Sequence, residues 1–173
     1  PARLVVFTVN HNLRVQAEAE IALVRKQAAA LGLTHHVTDW HWDGSGNLQA
    51  QARYGRWDAL RRLAAQSQAG TIWMAHTQDD QIETFLMRLS RGSGVDGLTG
   101  MASDTVRDGV RLCRPLLGAT RSALRDWLAQ QGITWCDDPS NDDTRFDRIR
   151  ARRIKDQLAD LGLTTKRILQ TVD

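Results

Sequence analysis

The feature that most constrains this chain is an apolar run that hands over to an acidic helix start. Thr71-Ile72-Trp73-Met74-Ala75 reads as a short buried strand. His76-Thr77-Gln78-Asp79-Asp80-Gln81-Ile82-Glu83-Thr84 follows at once, and Ile82, Phe85, Leu86 and Leu89 recur with the spacing of one helical face. Gly92 and Gly94 supply residues able to end that helix. His76, Asp79, Asp80 and Glu83 therefore gather where a strand becomes a helix. In an open α/β sheet, the carboxyl ends of the strands are where ligands bind.

Helix geometry separates the carboxylates. Asp80 and Glu83 are three residues apart and so are neighbours on the helix surface. Asp80 is expected to point away from the apolar stripe and Glu83 to flank it, so neither is expected to support the core. Two carboxylates on an open first turn suit a hard cation such as Mg²⁺ or an amine-bearing substrate. Acidic residues also favour a first helical turn through the helix dipole alone.

The rest of the chain alternates strand and helix patterns. Residues 3–9 form an apolar, β-branched run that suits a buried parallel strand and delivers Asn10, His11 and Arg14 to its end. Residues 17–31 read as a helix closed by Gly32, and residues 36–42 as a strand. His35, His36 and His41 fit no zinc spacing and read as strand-edge residues. Residues 48–65 form a helix in which Arg53, Arg56, Arg61 and Arg62 interleave with Tyr54 and Trp57, a mixture suited to phosphates and stacked bases. Its alternative is a solvated basic face with Trp57 packed inward. Residues 110–113 are a further strand leading to Arg114 and Pro115, and Thr120 is a plausible N-cap for a helix over 121–131. An acidic turn at 137–143 precedes the strongest basic cluster: Arg145, Arg148, Arg150, Arg152, Arg153 and Lys155. Residues 158–172 read as one more helical segment. The expected fold is α/β, an open and mainly parallel sheet with helices on both faces.

Four blocks in order make a resemblance specific. The stretch from Ala75 to Thr84 resembles the second signature of the N-type ATP-pyrophosphatase (PP-loop) enzymes, and Arg88-Leu89-Ser90-Arg91-Gly92-Ser93-Gly94-Val95-Asp96-Gly97-Leu98 resembles their tRNA-isoleucine lysidine synthetase branch. Val9-Asn10-His11-Asn12-Leu13-Arg14, Arg114-Pro115-Leu116-Leu117 and Asp138-Pro139-Ser140-Asn141 resemble further blocks of that branch. Two positions depart from the pattern: Asn10 replaces the usual Asp, and Ile149 replaces an Asn. The resemblance covers about residues 4–155. It divides the chain into a PP-loop catalytic domain over 1–155 and the start of a helical linker or following domain over 156–173. The family's Ser-Gly-Gly-x-Asp-Ser phosphate loop does not occur in this sequence. It would lie ahead of Pro1 on a first strand expected between the strands near residues 5 and 73. The chain is therefore expected to be a fragment unable to complete the reaction by itself.

The resemblance implies ATP-dependent conversion of the wobble cytidine of tRNA-Ile, CAU anticodon, to lysidine with L-lysine. It implies Asp80, Glu83, Arg114 and Arg148 as catalytic residues, with Asp80 also as a Mg²⁺ ligand. His11, Arg14, His76 and Asp79 would border ATP, and Arg53, Arg56, Arg150 and Arg152 would bind tRNA. A homodimer is compatible with it. The alternatives are another PP-loop enzyme, of the tRNA thiolase or synthetase type, and a non-catalytic RNA-binding relative. Close thiolases use a Cys-x-x-Cys pair, which Cys113 and Cys136 do not form. Two cysteines also make no disulfide scaffold, and no apolar run is long enough to span a membrane, so a cytoplasmic location is expected. A net charge of +3 says little about nucleic acid by itself, and the clustering of the arginines says more.

Overall fold

The computed structural model describes residues 3–11, 17–137 and 147–172. Its element order is β1 (Val5–Asn10), α1 (Ala17–Ala30), β2 (Thr34–Asp39), α2 (Leu48–Gln66), β3 (Thr71–Trp73), α3 (Gln78–Ser90), a 3-10 turn (Val95–Leu98), β4 (Asp104–Arg107), β5 (Val110–Cys113), α4 (Arg121–Gln130), α5 (Asp147–Asp160) and α6 (Thr165–Val172). The α/β class expected from the alternating patterns is present. Its strands form a two-stranded sheet, β1-β2, and a three-stranded sheet in the order β3-β5-β4.

The chain packs as two compact units. Residues Pro1–Ile72 with Arg107–Arg111 make the first, and Trp73–Val106 with Leu112–Asp173 make the second. In the first, β1 and β2 pair in parallel from Val5 opposite Thr34 to Asn10 opposite Asp39. The last pair also meets through its side chains. The Asn10 side-chain amide donates to Asp39 Oδ1 at 3.0 Å. An Asp at position 10 would instead set two carboxylates opposite each other, which is destabilising. The strand β2 starts two residues before the expected 36–42 and ends three residues before its end, so Trp40, His41 and Trp42 lie beyond it. Helix α1 closes with Gly32 at φ +66°, where the Leu33 N–H donates back to the Ala28 carbonyl.

Helix α2 starts at Asn47, whose side chain accepts from the Ala50 N–H at 3.1 Å. Its inward face buries Gly55, Trp57, Ala59, Leu60 and Ala64. Trp57 is thus a core residue. Its indole N–H donates to Asp108 Oδ2 at 2.6 Å, and the Arg107 guanidinium stands 4.4 Å above its ring. Trp40 lies directly on Gly55: a Cβ there would sit 1.9 Å from the indole nitrogen.

The strand β4 has no counterpart in the expected pattern, although the sequence signals it. Asp108 and Gly109, both at positive φ (50° and 77°), form the two-residue turn that joins β4 to β5. Asp-Gly between alternating strands is the strongest short-range hairpin signal. This pair is therefore an antiparallel addition to an expected parallel pattern.

In the second unit, α3 buries Ile82, Phe85 and Leu86 against Ala151 of α5 and Ile168 of α6, with Met87, Leu98, Leu158 and Leu169 packed around them. Leu89, expected on the same face, is 47% exposed. The segment expected as one helix over 158–172 is broken: α5 ends at Asp160, Gly162 turns at φ +82°, and α6 begins at Thr165. Helix α5 runs without interruption through residues 155 and 156.

Gly55→Ala is expected to destabilise the protein by about 1–3 kcal/mol, because the added methyl must displace an indole within a packed face. Denaturant unfolding measures this. An unchanged midpoint would mean that Trp40 moves aside without cost.

Candidate active site

The start of α3 is built by its own side chains. Thr77 is the N-cap, in extended conformation, and Asp80 is the third helical residue. Asp80 Oδ2 accepts from both the Thr77 N–H and the Thr77 hydroxyl, each at 2.7 Å. A Thr and an Asp at this spacing satisfy groups that a helix N-terminus would leave without partners.

A second helix then closes on the same carboxylates. Thr120 caps α4 by accepting from the Ala123 N–H at 3.1 Å, which places Arg121 at the first helical position. The Arg121 N–H donates to Asp79 Oδ2 at 2.8 Å. Its Nη2 donates to Asp80 Oδ1 at 2.7 Å, and its Nη1 donates to Glu83 Oε1 at 2.9 Å. The Gln78 N–H donates to the Ala119 carbonyl at 2.9 Å, so the two helix starts are also joined through backbone. The cluster is largely enclosed: Glu83 is 3% exposed and Asp80 9%. Burial by itself pulls the Arg121 pKa down. The hydrogen bond that Arg121 donates to Glu83 and the charges of Glu83, Asp80 and Asp79 outweigh it, so the net shift is upward and the guanidinium stays charged.

These positions correct the open-face expectation. Asp80 and Glu83 lie inside the unit, and both are ion-paired to a residue that the sequence reading did not select. The donor set also does not fit Asp80 as a Mg²⁺ ligand, because a guanidinium occupies the cation position and Thr77 engages the other oxygen. Among the described residues, no group of three or more His, Cys, Asp or Glu is arranged to hold a metal.

The remaining candidates divide between structural and exposed positions. Arg114 Nη1 donates to the Ala102 carbonyl and its backbone N–H to the Ser103 carbonyl, both at 2.7 Å. Gln81 grips the neighbouring Met101 from the other side, accepting from its N–H at 2.6 Å and donating to its carbonyl at 2.9 Å. His76 is half-buried between β3 and α3, in the second unit with Asp80 and Arg114, whereas His11 belongs to the first unit. Arg53 and Arg56 are exposed on α2 beside exposed Tyr54, and Arg150 is exposed on α5. Arg14 lies outside the described residues. Arg148 and Arg152 lie on α5, with their side chains outside the described set. No helix among the described residues is long and apolar enough to cross a membrane.

The chain is similar to known proteins over nearly its whole length. A family model for the PP-loop domain matches residues 1–158. The tRNA(Ile)-lysidine synthase of Ruegeria pomeroyi is 50% identical over 169 residues, covering 97% of this chain and 40% of that protein. The tRNA(Ile)-lysidine synthase of Rhodopseudomonas palustris is 45% identical over 168 residues, covering 96% of this chain and 49% of that protein. The chain thus spans less than half the length of these curated relatives. Among solved structures, the U34-tRNA thiolase NcsA from Methanococcus maripaludis, with its 4Fe-4S cluster, superposes with a TM-score of 0.77 at 14% identity. The match covers 98% of this chain and 60% of that one and is a likeness of fold.

Asp80→Asn and Glu83→Gln are each expected to destabilise the protein by about 1–3 kcal/mol, because each weakens a charge-assisted hydrogen bond in an enclosed site. Equilibrium unfolding of both variants measures this. Wild-type stability in both would return the carboxylates to the open, purely chemical role that the sequence pattern suggests.

Proposed function

The chain belongs to the PP-loop domain family, and from that membership we propose that its protein is a tRNA(Ile)-lysidine synthetase, a carbon–nitrogen ligase. The observation that carries this reading is 50% identity over 97% of the chain to a protein of that name. The substrates are ATP, L-lysine and tRNA-Ile with a CAU anticodon. In the first step, the cytidine O2 attacks the α-phosphorus of ATP and pyrophosphate leaves. In the second, the ε-amine of lysine attacks carbon 2, the bond from that carbon to O2 breaks, and AMP leaves with the oxygen.

Asp80 and Glu83 take the amine side of this reaction. Their charge favours an ammonium nearby, and the attacking amine must lose a proton before it can bond to carbon. His76 and Asp79, at the same strand-to-helix junction, are assigned to the nucleotide side. Mg²⁺ belongs to the proposal as the counter-ion of ATP, with no described residue assigned as its ligand. Arg53, Arg56 and Arg150 are exposed guanidinium groups and take the tRNA backbone, for which arginine is well suited. Tyr54, exposed beside Arg53 and Arg56 on α2, offers a ring on which a base stacks.

The protein as encoded, given ATP, lysine and a tRNA-Ile transcript, is expected to add the mass of lysine less water to one cytidine. Nucleoside mass spectrometry reads this directly. Absence of the adduct, with normal tRNA binding, would leave the RNA-binding reading in its place. Arg53→Ala and Arg150→Ala are each expected to reduce the slope of log affinity against log salt by about one unit. An unchanged slope would make those arginines a solvated face.

A further inference from the structure

The charge of this chain is divided unevenly between its two units. The first, residues 1–72 with 107–111, holds ten Lys and Arg against six Asp and Glu, a formal +4. The second holds thirteen against fourteen, a formal −1. Six of the ten basic residues lie on α2, as Arg53, Arg56, Arg61 and Arg62, or on either side of the β4–β5 turn, as Arg107 and Arg111. Clustering of this kind, more than overall charge, marks a surface for nucleic acid.

These arginines are held in different ways. Arg61 and Arg62 both reach Asp58, at 3.0 and 2.7 Å, so one carboxylate already shares their charge. Arg107 instead stands with its guanidinium 4.4 Å above the Trp57 ring. Its Nε is 3.8 Å from Asp108 Oδ2, outside hydrogen-bond range. A cation held over a ring is fixed in place without using its N–H donors. Asp108 Oδ2 is itself taken by the Trp57 indole N–H at 2.6 Å. One indole therefore anchors the turn through its edge and Arg107 through its face. The Arg107 side chain is still 46% exposed.

Helix geometry gives that position a meaning. Arg53 and Arg61 lie four residues before and after Trp57, one turn away on the same stripe of α2. Trp57 is buried and leaves a gap in charge between them. A guanidinium placed over its ring falls into that gap. Three guanidiniums then follow one edge of α2, at intervals of about 6 Å along the helix axis.

We propose that Arg107 is a phosphate-binding residue of the tRNA surface, continuing across the β4–β5 turn the contact that Arg53 makes from α2. This rests on the functional reading above, which places tRNA on α2, and adds to it a residue from an element remote in sequence. A guanidinium that is already oriented loses less freedom on binding than one on a mobile side chain. Covering the indole needs only the stem of the side chain, whereas bonding a phosphate needs the charge. The two roles are therefore separable.

The test measures the affinity of the protein as encoded for a tRNA-Ile transcript over a range of salt, with the melting temperature alongside. Arg107→Gln keeps a covering stem and removes the charge. It is expected to reduce the slope of log affinity against log salt by about one unit. Arg107→Lys keeps the charge and is expected to keep the wild-type slope. Asp108→Asn still accepts from the indole N–H and tolerates a left-handed backbone, while removing the negative charge beside Arg107. It is expected to tighten binding about twofold to threefold at low salt. If Arg107→Gln melts below the assay temperature, Asp108→Asn decides by itself. A wild-type slope in folded Arg107→Gln overturns the role of Arg107, as does unchanged or weaker binding by Asp108→Asn. Either result beside normal wild-type binding overturns this inference alone. Wild-type protein that does not bind the transcript overturns the reading of α2 as a tRNA surface, and this inference with it.

Discussion

The arrangement of the second unit's candidate site depends on one arginine between three carboxylates. Arg121 joins the start of α4 to the start of α3 through both backbone and side chain. Such an ion pair contributes less to net stability than its distances suggest, because desolvation offsets much of the Coulomb attraction. Its larger effect is on which arrangement is allowed. Removing either sign leaves charge enclosed without its partner, so the two helix starts are stable only when they face each other.

Around that pairing, the unit spends recognised motif residues on architecture. Gln81 binds both backbone groups of Met101, in the way that a neighbouring strand would, and Arg114 holds Ala102 and Ser103. The chain therefore passes from the 3-10 turn to β4 under two side-chain clasps. On the other face of α3, Ile82, Phe85 and Leu86 pack against α5 and α6. The helix is fixed by charge on one side and by apolar contact on the other, and Asp80 and Glu83 sit where shifts on either side would be felt.

The sequence made the local elements legible and left the long-range pairings out of reach. The strand and helix patterns over 5–90 reappear with ends shifted by a few residues, because apolar period and glycine stops are local signals. The hairpin turn at Asp108-Gly109 is equally local, carried by a two-residue signal. The break at Gly162 was also visible as a glycine within an otherwise helical pattern. Arg121 was different. Its partners lie 38 to 42 residues away, and no spacing rule connects a capped helix start to carboxylates so distant in sequence. Leu89 failed for the opposite reason: helical periodicity placed it on the apolar stripe, but α5 and α6 cover only part of that stripe.

That contrast bears on how a motif is read. Periodicity placed Asp80 and Glu83 on an open helix face because it considers one helix at a time. A carboxylate that is exposed on an isolated helix becomes enclosed when a second helix docks its N-terminus there, and its charge must then be met by that helix. Asp80 satisfies the cap of α3 with one oxygen and Arg121 with the other, so its structural and chemical duties cannot be separated by its position in the motif. The residues that tune such a site lie on the docking helix. The first turn of α4, set by the Thr120 cap, is therefore as much a part of this site as the acidic turn that first drew attention to it.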